Sequence, residues 1–232
     1  MQEGLLYLRK YIPMAPDHTE QERQKFQLDR IALFSDAVFA IAITLLVIEI
    51  KVPSVSIDRA LFDHEFSHAL REMTPEFIGF FISFIVIGNY WRAHHTIFGY
   101  VTDYNRKLIT INTWFLLTIV CMPFTTAMMS KYIFLKPYVF YCINVIGSGL
   151  IQLWLWHYII NPKNQVSGYI PPGMIQYKKY SSWVVIICFV LSLALHPVIG
   201  PAFARLFLAS IFIINIFTDR YFVRKYKLGK KY

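Results

Sequence analysis

The chain has 232 residues, of which 56% are hydrophobic and only 16% charged, and its formal net charge is +9. Soluble domains average about 25% charged residues, and one of this length cannot bury so much apolar surface. Disorder is excluded as well, because disordered segments are poor in aromatic residues, which make up 17% of this chain. The composition therefore predicts an integral membrane protein.

Six stretches are apolar and long enough to cross a bilayer as helices, since a spanning helix needs about 20 residues. In chain order they are residues 31–52, 76–98, 108–129, 137–160, 181–199 and 202–222. Their connections are short, so we predict an all-α membrane protein with a single six-helix domain over residues 1–232. Residues 1–29 form an N-terminal segment before the first span, and residues 223–232 form a basic tail after the last.

Most of the 23 Lys and Arg residues fall on one side of these six spans. They occupy the N-terminal segment, the second and fourth connections, and the C-terminal tail. Because connections rich in Lys and Arg stay in the cytoplasm, both termini are predicted to be cytoplasmic. Topology and attraction to anionic membrane lipid thus account for the basic excess, and we expect no nucleic-acid partner.

The start of the first span places a carboxylate inside the membrane. Asp36 directly follows Ser35, and Arg30 lies about a turn and a half before it. A charged side chain in a membrane helix costs about 2.5–3.5 kcal/mol on insertion scales, so Asp36 requires a partner. Two interpretations stay open here: a structural polar clamp between helices, and an ion or proton relay.

The same helix carries a continuous stripe with spacings of three and four residues. Its members are Phe34, Ala37, Ile41, Thr44 and Ile48. In a membrane such a stripe usually contacts lipid or a neighbouring helix. If the helix lined a central axis, however, the stripe would form a hydrophobic constriction that gates by dewetting.

Other chemistry has little support in the sequence. The connection 53–75 predicts an amphipathic helix on the membrane surface or an extension of the second span. His64 and His68 would share a face of it, but no third ligand accompanies them, so we expect no metal site and no cofactor. The sequence has neither a T-V-G-Y-G-like filter loop nor a familiar catalytic motif, and we expect no enzyme activity.

The first span also carries a specific motif, Arg30-x-x-x-Phe34-Ser35-Asp36, followed by Ala-x-x-Ile-x-Ile-Thr-Leu-Leu. It resembles the signature of the transmembrane protein 175 family of lysosomal and prokaryotic potassium channels. The likeness extends over residues 28–130, through Ser83-Phe84, Trp91-x-x-His94-His95, Asn112 and Pro123-Phe124-x-Thr126. Prokaryotic members have one six-span repeat in each chain, which agrees with the count above and points to the inner membrane of a prokaryotic cell.

The resemblance implies a homotetramer around a pore lined by the first helices, with no re-entrant filter loop. It implies a passive, leak-type potassium channel that needs no ATP. The residues it assigns fall in two groups. Ile41 and Ile48 would form the constriction, with Thr44 between them and Leu45 as an alternative lining residue. Arg30, Phe34, Ser35 and Asp36 would fix the pore helix to the next two spans, with Trp91 and His94 as partners of Asp36.

One alternative function stays open at this point. A proton-coupled secondary transporter would use Asp36, Arg30 and His94 as a relay. Transporters of this kind usually contain inverted repeats with helices broken at corresponding positions. Pro123 and Pro197 interrupt two of the spans, but they lie near the span ends and do not match between the two halves. We therefore expect a channel rather than a carrier.

Overall fold

A computed structural model of the chain describes residues 18–55, 58–208 and 210–226. These residues form eight helices and a short 3-10 turn, Pro162–Asn164. The helices are α1 (His18–Ile48), α2 (Arg59–Glu72), α3 (Thr74–Phe98), α4 (Arg106–Val120), α5 (Met122–Lys131), α6 (Leu135–Ile160), α7 (Pro172–Phe207) and α8 (Ser210–Tyr226). Within the described ranges there is no β-strand beyond one isolated bridge between Val101 and Ser167, so the predicted all-α class is confirmed.

Four helical stretches are long and apolar enough to cross a membrane: Glu20–Ile48, Arg106–Lys131, Leu135–Ile160 and Pro172–Pro201. The predicted span 76–98 coincides with α3, and the predicted span 108–129 is divided between α4 and α5. The division falls at Cys121, two residues before Pro123, which has no backbone N–H to donate to the preceding turn. Of the predicted terminal segments, residues 1–17 and 227–232 lie outside the described residues.

The largest irregularity in the bundle is a kink in α7. Gly200 has φ 79° and ψ 167°, a conformation that almost only glycine adopts. It lies between Pro197 and Pro201, both of which interrupt the helical hydrogen bonds. The predicted fifth span, 181–199, ends at this kink. The predicted sixth span begins in the last turns of α7 and continues through α8.

The connection between the first two long helices contains the separate helix α2, so this segment is not an extension of the second span. It ends at Glu72, and α3 begins two residues later with Pro75 in its first turn, where a missing N–H costs nothing. The start of α4 is fixed by a cap: the side chain of Asn105 accepts a hydrogen bond from Leu108 N at 2.9 Å. The same oxygen accepts from the Tyr158 hydroxyl at 3.1 Å, which ties α4 to the end of α6.

The helices pack around a continuous apolar core. α1 packs against α3, α4 and α5, while α6 lies between α4 and α7, and α8 packs on α7. Phe39, Phe115 and Tyr141 lie in the larger of two buried clusters. A Cβ on Gly149 would lie 2.9 Å from Ile186 Cγ1, so this glycine allows α6 and α7 to approach closely. α1 thus lies at the edge of the bundle, with one face buried and the other uncovered in the single chain.

Candidate pore helix and its polar support

The two faces of α1 differ in what covers them. Ser35, Phe39, Ala42 and Leu46 repeat at intervals of four and three residues, and all four are buried against the other helices. A second stripe with the same periodicity lies about a third of a turn or more away. This second stripe is the one that the sequence singled out as a candidate pore lining.

All members of the predicted lining stripe are exposed in the single chain. The side chains of Ile41 and Ile48 are 58% and 59% exposed, and Phe34 lies on the same arc of the helix. Leu45 is only 39% exposed, because it lies nearer to the packed face. A membrane helix with large apolar side chains on this face must present them to lipid, to another subunit or to a pore.

Thr44 is the polar member of this stripe. Its Oγ1 donates to the carbonyl of Ile41 at 2.9 Å and lies 3.1 Å from that of Ala40. The hydroxyl hydrogen is therefore directed back along the helix. A hydroxyl oxygen has two acceptor lone pairs, which this arrangement leaves for a ligand outside the helix.

Asp36 has a single direct partner among the described residues. Its Oδ1 accepts a hydrogen bond from Trp91 Nε1 at 2.9 Å, which joins α1 to α3. Asp36 is half-buried and lines one wall of an open groove of ≈ 560 Å³ between the first turns of α1 and the end of α3. Lys25, Asp29 and His95 also line this groove, so the carboxylate is reached through an opening lined by charged and polar side chains.

A second polar connection lies deeper and runs through Asn112 of α4. Its Nδ2 donates to Ser35 Oγ at 3.0 Å, and its Oδ1 lies 2.8 Å from His94 Nε2. Because the amide oxygen is an acceptor, the Nε2 of His94 carries the hydrogen. Ser35 Oγ in turn donates to the carbonyl of Ile31 at 2.9 Å. His94, Asn112 and Ser35 thus link three helices in one hydrogen-bonded chain, which we call the α1–α3–α4 clamp.

The surroundings of the clamp are apolar and closed. His94 is 1% exposed, and its ring stacks on Phe98 at a centroid distance of 4.3 Å and on Phe115 at 5.5 Å. Ser35 and Asn112 are buried as well. Hydrogen bonds in such a place are costly to break, because water cannot replace the missing partner.

The structure does not bring all six predicted cluster residues together. Arg30 is exposed, and its guanidinium lies 6.0 Å from the ring centroid of Phe26. Six residues of helix rotate Arg30 by about 120° from Asp36, which keeps the two side chains apart. Phe34 is also on the exposed side. His94 bonds to Asn112 and not to Asp36. Asn112 belongs to the sequence motif, but the predicted polar cluster did not include it.

A second buried polar group lies within the bundle and does not include α1. Thr126 Oγ1 lies 2.8 Å from Ser83 Oγ, which donates to the hydroxyl of Tyr141 at 3.0 Å. It joins α3, α5 and α6 inside the larger apolar cluster. Ser83 and Thr126 belong to motifs that the sequence analysis named, whereas Tyr141 does not. Among the described residues, no group of three or more His, Cys, Asp or Glu side chains could hold a metal ion.

Comparison with known proteins connects this region to one family. Residues 30–123, which contain the exposed stripe and the whole clamp, match the sequence model of the family described as the endosomal/lysosomal potassium channel TMEM175. We call residues 30–123 the TMEM175-family region, because they match this family model. The resemblance found in the sequence is therefore confirmed.

Individual relatives match to different extents. A potassium channel of Streptomyces collinus is 40% identical over 104 residues, which cover 45% of this chain and 48% of that protein. The endosomal/lysosomal proton channel TMEM175 of Danio rerio is 30% identical over 149 residues, 61% of this chain and 29% of the relative. The matches thus span about half or less of these two proteins. A potassium channel of Chryseobacterium is 29% identical over 186 residues, 80% of this chain and 92% of that one.

A solved structure extends the likeness beyond the TMEM175-family region. The crystal structure of a lysosomal potassium-selective channel TMEM175 homolog from Chamaesiphon minutus superposes with a TM-score of 0.65 at 24% sequence identity. The match covers 84% of this chain and 98% of that one. At this level of identity it shows a shared fold.

Proposed function

We propose that the chain is a passive channel for monovalent cations, with potassium as the main permeant ion. The observation that carries this proposal is the exposed stripe of α1, which is apolar except for Thr44. The opposite face of the same helix is packed against the rest of the protein. The TMEM175-family region contains this helix, and several relatives are named as potassium or proton channels. A channel of this kind needs no cofactor and is not an enzyme.

The proposed assembly is a homotetramer with α1 of each chain around a central axis. A single chain cannot enclose a pore with the exposed face of one helix, whereas closed cyclic assembly brings identical faces together. Each chain contributes six spans as one domain over residues 1–232, without a re-entrant filter loop. Residues 1–29 and 223–232 are assigned to the cytoplasm, and the protein to the inner membrane of a prokaryotic cell.

The constriction is assigned to Ile41 and Ile48, since both are branched apolar side chains of the stripe and both are more than half exposed. Thr44 lies between them and offers oxygen lone pairs, while Leu45 lies to one side. An apolar ring opposes an ion, because the ion loses hydration there and gains no ligand in return. Such a constriction gives a low leak current without a gating ligand.

The second candidate, a proton-coupled transporter, requires a path from Arg30 through Asp36 to His94. The geometry favours it less, because Arg30 lies on a different arc and His94 is hydrogen-bonded to Asn112. We assign Ser35, Asp36, Trp91 and His94 to holding α1 in place. A carrier would respond to a proton gradient, whereas the proposed channel follows the potassium gradient alone.

Potassium flux from liposomes tests the constriction. In purified protein reconstituted under a potassium gradient, Ile41→Asn and Ile48→Ala are expected to raise the current, because they widen or polarise the ring. Ile143→Asn in α6 is the matched control, since Ile143 is 61% exposed but lies outside the proposed lining. Equal effects of Asn at 41 and 143, or a reversal potential set by the pH gradient, would refute the assignment.

Accessibility and assembly can be tested on the same protein. With the exposed Cys121 replaced by Ser, Ile41→Cys is expected to become sensitive to block by a small water-soluble thiol reagent. Crosslinking of the detergent-solubilised chain is expected to yield species up to a tetramer. If only the monomer is found after crosslinking, the proposed pore is contradicted, whatever current the protein carries.

A further inference from the structure

A cavity away from α1 carries an uncompensated positive charge. It has a volume of ≈ 40 Å³ and lies between α3, α6, α7 and α8. A cavity of about 10–15 Å³ is large enough for one water, so this cavity has room for about three waters or one small oxyanion. Lys178 of α7 and Arg92 of α3 line it at the end where α7 begins and α3 ends, and Asn215 of α8 lines it farther along the bundle.

Lys178 is the unusual residue of this cavity. It is 6% exposed, and within the described part of the chain its ammonium forms neither a hydrogen bond nor an ion pair; its nearest aromatic neighbour is the ring of Tyr177, 5.4 Å away. Lysine is almost never buried without a partner, because an unpaired charge is costly away from water. This position therefore requires an anion or another strong acceptor.

The protein's own carboxylate nearby is already engaged. Asp219 accepts a hydrogen bond from the Tyr177 hydroxyl at 2.5 Å and lies 3.7 Å from Arg92 Nη2. One carboxylate thus faces two cations, Arg92 and Lys178, and the site keeps a net positive charge. An anionic occupant would neutralise it.

The occupant must also be able to form hydrogen bonds. The Oδ1 of Asn215 is buried, and no partner for it exists among the described residues. Because this oxygen only accepts, it needs a donor, which a water beside the anion or a hydroxyl of the ligand supplies. Ser181 and Ser182 add hydroxyl groups to the wall. A lipid tail or another apolar group would leave these polar atoms unpaired. The combination of an ammonium, a guanidinium and hydroxyl donors suits a phosphate group, which has several acceptor oxygens and which Arg binds through its planar fork.

We propose that this cavity binds a phosphate group, with Lys178 and Arg92 as its cationic contacts. The phosphate could come from an anionic lipid headgroup or from free phosphate in solution. Basic pockets between membrane helices near the surface bind anionic headgroups. The turns of α8 that follow the cavity-lining Asn215 add Arg220, Arg224 and Lys225 to the same helix. The site does not depend on whether the chain conducts ions.

Ligand-dependent thermal stability tests the site, because a ligand that binds the folded state raises the Tm. Delipidated protein in detergent is titrated with short-chain phosphatidylglycerol, with phosphatidylcholine of the same chain length, and with sodium phosphate against sodium chloride of equal ionic strength. The variants are Lys178→Gln and the control Lys179→Gln, which removes the same charge from the exposed neighbouring residue. Arg92→Gln is a second variant at an exposed position.

We expect phosphatidylglycerol to stabilise the wild type and Lys179→Gln equally, and to bind Lys178→Gln about tenfold more weakly or worse. If sodium phosphate raises the Tm of the same proteins in the same way, free phosphate is a source of the bound group. If only phosphatidylglycerol raises the Tm, the source is the lipid. No stabilisation by either, equal stabilisation by phosphatidylcholine, or an unchanged Lys178→Gln response would overturn the proposal. If Lys178→Gln does not fold, Arg92→Gln takes its place: weaker binding of phosphatidylglycerol supports the proposal, and an unchanged response overturns it.

Discussion

Removing the central residue of the α1–α3–α4 clamp gives the sharpest test of what holds α1 in place. Asn112→Leu keeps a side chain of similar size but deletes both hydrogen bonds, at 2.8 Å to His94 and 3.0 Å to Ser35. Ser35 keeps its bond to the Ile31 carbonyl. His94 loses its only hydrogen-bond partner among the described residues, in a position that is 1% exposed.

The expected cost follows from that single orphaned donor. A buried polar group left without a partner costs about 1–3 kcal/mol. In a chain of this length each kcal/mol changes Tm by about 2–4 °C, so we expect Asn112→Leu to lower it by roughly 2–12 °C. Asn144→Leu is the control, because Asn144 is only half-buried and loses one longer bond, at 3.3 Å to Thr125.

A double-mutant cycle separates the hydrogen bond from general packing effects. His94→Phe alone is also expected to destabilise the protein, because it leaves the Asn112 oxygen unpaired. The double variant replaces both partners with apolar groups that suit a site between Phe98 and Phe115. Its loss of stability is expected to be smaller, by about 1 kcal/mol or more, than the sum of the two single-variant losses. Measured by thermal unfolding in detergent, strictly additive losses or an unchanged Tm for Asn112→Leu would refute the clamp.

Two further variants test other parts of the same framework. Asp36→Ala is expected to cost about 1 kcal/mol and so to lower Tm by about 2–4 °C, because water in the groove partly replaces the lost bond to Trp91. Asp36→Asn keeps an acceptor and is expected to stay near the wild type; full stability with complete loss of current would assign Asp36 a direct ionic role. Gly200→Ala is expected to cost about 1–3 kcal/mol because of its positive φ. Gly147→Ala, at a helical glycine with equally open surroundings, is expected to be neutral or stabilising; a similar Tm for both would argue against the kink.

Much of the helical framework could be predicted because it depends on local properties. Apolar runs of about 20 residues predict spans whatever their neighbours are, and α3 and α6 follow the predicted spans closely. The details set by backbone conformation were less predictable. Pro197, Gly200 and Pro201 indicate an interruption, and the kink at Gly200 falls between the predicted fifth and sixth spans. The sequence does not show the further turn at Leu208, where α7 ends.

The polar contacts were predictable only where donor chemistry left few choices. Trp91 and His94 were both predicted as donors to Asp36, and only Trp91 bonds to it directly. The two lie three residues apart on one helix face, so the sequence could not show which of them reaches α1 and which turns towards α4. That choice depends on how α3 is rotated against its neighbours, which is a property of the packed bundle.

The same limit applies to the two faces of α1, and it shows which observation decides their roles. Phe39, Ala42 and Leu46 repeat with the same spacing as the lining stripe, and both faces are apolar. In a membrane, hydrophobicity does not distinguish a protein-facing stripe from one that faces lipid or a pore. The distinction comes from Ser35, whose buried hydroxyl accepts a hydrogen bond from Asn112 and so requires a polar partner on that side. Fixing Ser35 inward leaves Ile41 and Ile48 outward, which is why the clamp and the proposed constriction must be tested on the same helix.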